Sequence, residues 1–309
     1  MKVYNLNTKT EFEENNLCLT IGNFDGLHKG HQFVIDEVIS NSKDSNFLNA
    51  VMSFTPHPRN FFGYTKEVFN IITKEEKLRI LSEMGIEIYI DFDFDENLSN
   101  LTAEEFINEI IIKKLKVKKI IVGSDFKFGK DRKGNLDTLK LLSTKLNFEL
   151  VNIKTININN TQTKFSSSYI RELIKEGNFN KVTQMLGREW SMRGKIIKGD
   201  QRARNINFPT ANMKPQNTIL PKNGVYCVRA LIDSRYYKGV ANFGNRPTVK
   251  GSELLLETHL FDFNEDIYGK ELTVEFQAFI RSEQKFKNFG DLTKQIQKDI
   301  NTAKNYHQI

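Results

Sequence analysis

The sequence predicts an α/β fold in two parts, a doubly wound domain with a mostly parallel sheet and then a small antiparallel β-barrel with a terminal helix. In the first half of the chain, strands alternate with amphipathic helices, which is the pattern of a parallel sheet. After about Gly187, short strands follow one another with no long helix before residues 292–303. Because 309 residues are too many for one small core, we expect two domains, at residues 1–186 and 187–309.

Apolar runs and helix-capping patterns define the elements of the first half. A Thr followed three places later by Glu forms a capping box, and this pattern opens helices at Thr73 and Thr102. Gly85 and Gly177 are suited to end two of the helices. We expect strands at residues 17–21, 50–54, 86–92, 119–123 and 148–153. We expect helices at residues 29–39, 73–85, 102–115, 136–146 and 166–176.

The second half consists of strand-like runs with turn residues between them. Asp233 and Ser234 stand between two such runs, where they predict a tight hairpin turn. The runs lie at residues 190–198, 224–232, 236–243, 254–261 and 272–280. Strands of this number with one terminal helix are typical of a small barrel.

The charge of the chain is basic but does not point to one class of partner. The sequence has 45 Lys and Arg against 38 Asp and Glu, a net charge of +7 with a pI near 9.1. The densest lysine cluster, residues 113–119, falls where a helix should end, and cations are favourable there. Charge alone is therefore weak support for nucleic-acid binding.

Cysteine content and hydropathy set the expected compartment. Cys18 and Cys227 are the two cysteines and form no Cys-x-x-Cys pattern, so disulfide scaffolds and zinc ribbons are not expected. Residues 1–10 lack the apolar stretch of a secretion signal, and no apolar run approaches the ~18 residues of a membrane span. We expect a cytoplasmic protein without a membrane or nucleic-acid partner.

A glycine-rich turn joins the first predicted strand to the first predicted helix. Its sequence is Gly22-Asn23-Phe24-Asp25-Gly26-Leu27-His28-Lys29-Gly30-His31. Glycine lets the backbone approach a ligand closely, and a helix start directs N–H groups and positive dipole at an anion. His28 and His31 are three residues apart and share one helix face. Two imidazoles there can bind phosphate oxygens and stabilise the charge that develops in phosphoryl transfer.

Two other interpretations of this turn stay open at this point. It can be a tight strand–helix connection with two surface histidines, or His28 and His31 can be half of a metal site. The zinc-protease pattern is absent, because no Glu follows the first histidine.

Three further segments follow strands or begin helices, where doubly wound folds place ligands. They are Phe54-Thr55-Pro56-His57-Pro58-Arg59, Gly123-Ser124-Asp125-Phe126-Lys127-Phe128-Gly129 and Ser166-Ser167-Ser168-Tyr169-Ile170-Arg171. The His-x-Gly-His element resembles the signature of the nucleotidyltransferase superfamily. All four elements in this order resemble the N-terminal domain of bacterial bifunctional riboflavin kinase/FAD synthetases. The resemblance implies a Rossmann-like nucleotidyltransferase domain that adenylylates FMN with ATP and releases pyrophosphate.

The resemblance assigns roles to residues of this first domain. It implies catalysis by His28 and His31, and ATP binding by Gly22, Asn23, Phe24, Asp25, Gly26, His28, His31, Ser166, Ser167 and Arg171. It implies flavin binding by Arg59, Asp125 and Phe126. Each segment alone also fits a structural explanation: a rigid proline loop, a serine helix cap or a solvated arginine.

The segment Pro209-Thr210-Ala211-Asn212 resembles the flavokinase signature and implies a riboflavin kinase-like barrel. By this resemblance, Thr210 and Asn212 place oxygen ligands on Mg²⁺ and ATP, which suits a hard cation. Glu257 would take the proton of the riboflavin 5′-hydroxyl as that oxygen attacks the γ-phosphate. The resemblance further implies ATP binding by Gly194, Lys198 and Gly199, and flavin binding by Phe208 and Arg281. Phe208 also fits a structural explanation as a residue of the barrel core.

Two positions of the barrel depart from the family pattern. Ala203 and Asn207 stand where the family usually has Gly. A positive φ would strain Ala203, whereas Asn tolerates that region better. Since Thr210, Asn212 and Glu257 are present, we expect an active kinase that is slower or differently regulated.

The resemblance predicts a bifunctional enzyme of flavin cofactor synthesis. The C-terminal domain would phosphorylate riboflavin to FMN, and the N-terminal domain would adenylylate FMN to FAD. Riboflavin, FMN and ATP would be its substrates and Mg²⁺ its cofactor, with self-association left open. One alternative is a transferase active only at the first site, with the barrel as a flavin-binding module. The other is an RNA-binding protein on a synthetase-like fold, motivated only by the charge of +7.

Overall fold

The computed structural model of the protein describes residues 1–65, 68–154, 164–197, 208–248 and 251–309. The chain divides into two compact units. The first unit is Met1–Val68 with Lys74–Ser166, and the second is Phe69–Thr73 with Ser167–Ile309.

A six-stranded parallel sheet forms the centre of the first unit. Its strands are β1 (Lys2–Leu6), β2 (Leu17–Ile21), β3 (Leu48–Thr55), β4 (Ile88–Asp93), β5 (Val117–Gly123) and β6 (Glu149–Ile153). All neighbouring strands are parallel, and their order across the sheet is β1-β4-β3-β2-β5-β6. Every residue of β2 is buried, as expected for an apolar run in the middle of a parallel sheet. The predicted parallel sheet is confirmed.

Helices connect these strands and cover the sheet. They are α1 (Lys29–Ser45), α2 (Pro58–Phe61), α3 (Lys74–Met84), α4 (Glu96–Asn100), α5 (Ala103–Glu105) and α6 (Leu136–Leu146). The predicted capping box opens α5: Thr102 Oγ1 accepts from the Glu105 N–H at 3.2 Å, and Glu105 Oε2 accepts from the Thr102 N–H at 2.8 Å. The helix continues as a π-helix over Phe106–Lys114, a winding that the capping pattern does not predict.

A closed antiparallel barrel forms the centre of the second unit. Its strands are β7 (Trp190–Ile197), β8 (Ala211–Met213), β9 (Gly224–Ile232), β10 (Arg235–Thr248), β11 (Gly251–Leu260) and β12 (Glu271–Arg281), and α9 (Phe289–His307) follows them. The order around the barrel is β10-β11-β8-β7-β12-β9. Asp233 and Ser234 have φ of 46° and 66°, the left-handed pair that a two-residue hairpin turn requires. The predicted barrel and hairpin are confirmed.

Two helices precede the barrel and belong to its unit, α7 (Ser167–Glu176) and α8 (Phe179–Leu186). α7 agrees with the helix predicted at residues 166–176, whereas α8 lies outside the predicted helices. The sequence does carry a signal for α8, because it has apolar residues at helical spacing. These residues are Phe179, Val182, Met185 and Leu186, and all four are buried. Phe179 stacks on Trp190 of β7 with ring centroids 5.6 Å apart, which joins the helix to the barrel core.

Two strands were also missed. β1 has the sequence KVYNL, which is too short and too polar for a buried apolar run. Within the part of the chain that the structure describes, β1 lies at the edge of the sheet and pairs with β4. β8 has three residues, too few for a periodic signal, and is fixed by pairing with β7 and β11.

Candidate active sites

The glycine-rich turn lies at the carboxyl end of β2, at the point where the strand order of the sheet changes direction. The chain runs from β2 to β3 on one side and reaches β5 on the other side only later. Ligands of doubly wound sheets bind at such switch points. The β2–α1 turn (residues 22–28) therefore occupies the place where topology alone would put a nucleotide.

His28 and His31 meet at the start of α1. His28 is the N-cap, and its Nδ1 accepts a hydrogen bond from the His31 N–H at 3.2 Å. The two imidazole rings are stacked, with centroids 3.6 Å apart and an interplanar angle of 17°. Burial lowers the pKa of His31 well below its usual value, and His28 and Lys77 act in the same direction. The stacked pair is thus held with His31 neutral.

The backbone of the β2–α1 turn is strained and fixed by packing. Phe24 and Leu27 adopt left-handed φ values of 47° and 44°, and both side chains are buried. A strained backbone conformation of this kind persists only where the contacts around it hold it in place. The Phe24 ring meets His31 edge-on at 5.2 Å, and the carbonyl of Gly22 accepts a hydrogen bond from Ser53 Oγ at 2.9 Å. These contacts fix the backbone conformation of the turn.

Gly30 is required by a close approach within the His-x-Gly-His element. A Cβ on Gly30 would lie 3.0 Å from the Phe165 Cβ and 3.2 Å from His28 Nδ1. The segment that carries Phe165 and Ser166 therefore runs directly beside the start of α1. Ser166, the residue after Phe165, therefore follows a segment that packs against the start of α1.

Ser167 and Arg171 lie on α7, in the second compact unit. Within that unit, Arg171 Nε donates to the carbonyl of Phe69 at 2.8 Å, and its guanidinium lies 4.8 Å from the centre of the Phe69 ring. Arg171 is therefore a packed residue and not a solvated one.

The predicted flavin contacts of the first unit differ in their surroundings. Arg59 is exposed on α2, whose N-cap His57 accepts from the Arg59 N–H at 3.1 Å. Asp125 is exposed, whereas Phe126 is half-buried and stacks on Phe128 at 5.3 Å.

An aromatic cluster beside Arg59 was not predicted. Its members are Phe54, Phe61, Phe62, Tyr64 and Phe94, with neighbouring ring centroids 5.2–5.8 Å apart. Phe62 and Tyr64 remain 51% and 76% exposed. Exposed aromatic rings of this kind offer a stacking surface for a flat heterocycle. The run of three aromatic residues at 61, 62 and 64 was the signal available in the sequence.

Strand register brings the predicted kinase residues together in the barrel. Glu257 of β11 pairs with Asn212 of β8 on one side and with Asn242 of β10 on the other. Directly opposed residues of antiparallel strands face the same side of the sheet. All three line a cavity of about 1040 Å³ that Phe208, Thr210 and Arg281 also line. Asn242 had no role in the sequence-based site.

The loop before β8 is tied to β11 by His259. Nδ1 of His259 lies 2.9 Å from the carbonyl oxygen of Pro209, so this nitrogen carries the proton and donates it. Phe208 packs edge-on against the His259 ring at 5.7 Å. Burial lowers the pKa of His259, while its bond to Pro209 acts in the opposite direction. His259 thus fixes the loop that presents Thr210 to the cavity.

Arg281 lines the cavity and forms an ion pair with Asp299 of α9. Its Nε and Nη2 donate to the carboxylate of Asp299 on α9 at 2.9 and 2.7 Å, and Gln295 Nε2 donates to the same carboxylate at 2.9 Å. The guanidinium also faces the Phe286 ring at 5.9 Å. Arg281 therefore joins the end of β12 to α9 in addition to lining the cavity.

Three further residues are predicted to contact ATP in the kinase: Gly194, Lys198 and Gly199. Gly194 lies within β7, where a Cβ would come within 2.7 Å of the Met213 side chain, so packing accounts for this glycine. Lys198 and Gly199, with Ala203 and Asn207, lie outside the described residues.

Comparison with known proteins assigns both halves of the chain. Residues 10–169 match the family model of FAD synthetase, and residues 186–307 match that of riboflavin kinase. A bifunctional riboflavin kinase/FMN adenylyltransferase from Haemophilus influenzae is 36% identical over 288 residues, 93% of each chain. The chain belongs to this bifunctional family. The homologous enzyme of Bacillus subtilis is also 36% identical, over 95% of this chain and 93% of its own.

A solved structure is similar to this chain over nearly its whole length. It is described as a macrolide-efflux protein from Streptococcus pneumoniae, with 30% identity, a TM-score of 0.86 and coverage of 96% of this chain and 97% of that one. Among the described residues of this riboflavin kinase/FMN adenylyltransferase, no helix is long and apolar enough to cross a membrane.

Family membership confirms the predicted resemblance, fold class and enzymatic class. The protein is a bifunctional riboflavin kinase and FMN adenylyltransferase, with its FAD synthetase part N-terminal and its flavokinase part C-terminal. Its small-molecule substrates are riboflavin, FMN and ATP.

Proposed function

We propose that each activity has its own site: AMP transfer to FMN at the β2–α1 turn, and phosphorylation of riboflavin in the barrel cavity. We assign the first activity to residues 1–186 and the second to residues 187–309. The observation that carries the proposal is the row Asn212, Glu257 and Asn242, which faces a cavity large enough for substrates.

In the barrel, Glu257 acts as the general base. It takes the proton of the riboflavin 5′-hydroxyl while that oxygen attacks the γ-phosphorus of ATP, and the bond to the leaving ADP breaks. Asn212 and Asn242 flank Glu257 on the neighbouring strands and can orient its carboxylate by hydrogen bonding. Phe208 and Arg281 hold the flavin side of the cavity.

The donors near Asn212 fit a Mg²⁺ ion. Asn212 is buried, and its Oδ1 has no hydrogen-bond partner among the described residues. An amide oxygen and the Thr210 hydroxyl are hard ligands, and phosphate oxygens complete such sites. Mg²⁺ bound there would neutralise the charge of the transferred phosphoryl group. No group of three or more His, Cys, Asp or Glu within the described ranges could hold a metal by itself.

At the β2–α1 turn, the chain positions reactants and stabilises charge. A phosphate oxygen of FMN attacks the α-phosphorus of ATP, and pyrophosphate leaves, so no protein nucleophile is needed. The start of α1 directs N–H groups and its positive dipole end at the phosphates. His28 and His31 add imidazole donors beside them, and Ser166 follows the segment that packs on Gly30. Ser167 and Arg171 are assigned to the far phosphates, and Arg59, Asp125 and Phe126 to FMN.

We further propose that the enzyme works in the cytoplasm, with neither nucleic acid nor a membrane as partner. Cys18 and Cys227 are both buried free thiols, which agrees with a reducing compartment. Burial raises the pKa of each thiol to about 12, so neither is a reactive thiolate.

Product analysis tests the proposal. Purified protein is incubated with riboflavin, ATP and Mg²⁺, and flavins are separated by chromatography. FMN and FAD together support two active sites. FAD formed only from supplied FMN would make the barrel a flavin-binding module, and formation of neither product would contradict both activities.

A further inference from the structure

The β2–α1 turn carries a buried carboxylate at the place to which we assign a triphosphate. Asp25 is only 5% exposed. A carboxylate next to a polyphosphate is electrostatically unfavourable, and a buried charge is costly unless a group of opposite sign lies near it. A cation close to Asp25 is therefore a condition for ATP binding at this turn.

Lys77 supplies a cation at this position. It lies in the first half of α3, and its Nζ donates a hydrogen bond to the carbonyl oxygen of Asn23 at 2.7 Å. Burial lowers the pKa of this ammonium group, while the carboxylates of Asp25 and Asp91 act in the opposite direction. The side chain thus connects α3 to the turn by a hydrogen bond and by charge.

The neighbouring lysine has a different partner. Lys74, one helical turn earlier on α3, forms an ion pair with Asp91 and lies 3.3 Å from Asn5 Oδ1. Asp91 therefore has a cation of its own. The hydrogen bond of Lys77, by contrast, goes to the β2–α1 turn.

We propose that Lys77 is a positioning residue for adenylyl transfer, which holds the Asn23 carbonyl, balances the charge of Asp25 and so keeps the turn in the shape that binds ATP. This rests on the proposed ATP site at the turn. Asn23 Oδ1 and His31 Nδ1 are buried without a hydrogen-bond partner among the described residues. Both atoms belong to the segment that Lys77 fixes, and a bound nucleotide would satisfy them.

Lys77→Met tests the proposal, with Lys119→Met as its matched control. Lys119 is a buried lysine of the first unit, and its Nζ lies 2.9 Å from both Glu149 Oε2 and Ser45 Oγ. Its backbone pairs with Cys18 near the start of β2, at the sheet end opposite the turn. Both substitutions remove one buried ammonium group, but only Lys77→Met removes the contact with the turn.

For Lys77→Met we expect the KM for ATP in FAD formation to rise about tenfold or more, as loss of a charge-assisted hydrogen bond at a site typically produces. Lys119→Met should leave this KM within about twofold of the parent value, because it acts on stability at a distant position. FMN formation by the same molecules measures the concentration of intact barrel in each preparation. A purely structural role of Lys77 would lower kcat without moving the KM.

Two further variants keep the test decisive. In Lys77→Gln the amide can still donate to Asn23 but carries no charge, and it replaces Lys77→Met if that variant does not fold. If Lys77→Met or Lys77→Gln has the same KM for ATP as Lys119→Met, the proposed role of Lys77 is wrong. His31→Ala tests the site itself: if it also leaves FAD formation unchanged, ATP does not bind at this turn and the proposed site is wrong.

Discussion

Glu257 acquires its surroundings from strand register. Asn212 and Asn242 are distant in sequence, yet each lies directly opposite Glu257 on a neighbouring strand. Because opposed residues of antiparallel strands share a face, the carboxylate has an amide on each side of it at the cavity. The chemistry of the kinase therefore depends on three residues that β8, β10 and β11 bring into one row.

Glu257→Gln is expected to lower the rate of FMN formation by about a hundredfold or more, because the amide keeps the shape of the side chain but cannot accept the proton. Conversion of supplied FMN to FAD should be unchanged. Chromatography of both reactions measures this. Glu253→Gln is the control on the same strand, since Glu253 pairs with Lys214 at 2.6 Å and does not line the cavity. Loss of both activities in Glu257→Gln would contradict separate sites.

At the scale of elements, β12 and α9 are joined by one buried ion pair. Arg281 ends β12, and Asp299 in the middle of α9 is 4% exposed and accepts hydrogen bonds from both Arg281 and Gln295. The segment between the two elements contributes Phe286 to the cavity. The pair therefore fixes both the stability of the barrel end and the shape of its cavity.

Asp299→Ala should lower the free energy of unfolding by about 3 kcal/mol, because it leaves the Arg281 charge buried without its partner. The KM for riboflavin should rise together with this loss. Thermal unfolding and steady-state kinetics check the two effects. Glu271→Ala removes the exposed ion pair with Arg193 and should cost under about 1 kcal/mol. Equal losses in both variants would show that Arg281 does not depend on Asp299.

At the scale of the whole molecule, three half-buried histidines set a common response to pH. Burial lowers the pKa of His31 in the first unit and of His259 and His307 in the second. The unfolded chain binds a proton on each histidine near its ordinary pKa of about 6.5, whereas the folded chain resists protonation. Their contribution to stability is present above about pH 6.5 and is lost as the pH falls below it.

The midpoint of urea unfolding should therefore decrease as the pH is lowered from about 7.5 to about 5.5, a range that spans the unfolded pKa of histidine. His31→Gln removes one of these groups and should show a weaker pH dependence than the parent protein. A midpoint that rises on acidification would contradict the lowered pKa values of these three histidines.

Much of the fold follows from local sequence patterns. The apolar run of β2, the capping box at Thr102 and the Asp233-Ser234 turn each act through neighbours in the chain, so their structures could be predicted. The motifs at His28, His31 and residues 209–212 also pointed to the two activities, since each motif concentrates its chemistry in a short segment. By itself the sequence determined the fold class, the family and the identity of the main candidate residues.

Only the tertiary structure decided which distant residues support those motifs. Lys77 reaches Asn23 because α3 packs beside the turn, and Asn242 stands opposite Glu257 because β10 and β11 pair in one register. The same holds for Asp299, which binds Arg281 across the end of the barrel. Such contacts join residues without a shared local pattern, and they exist only after the chain has folded.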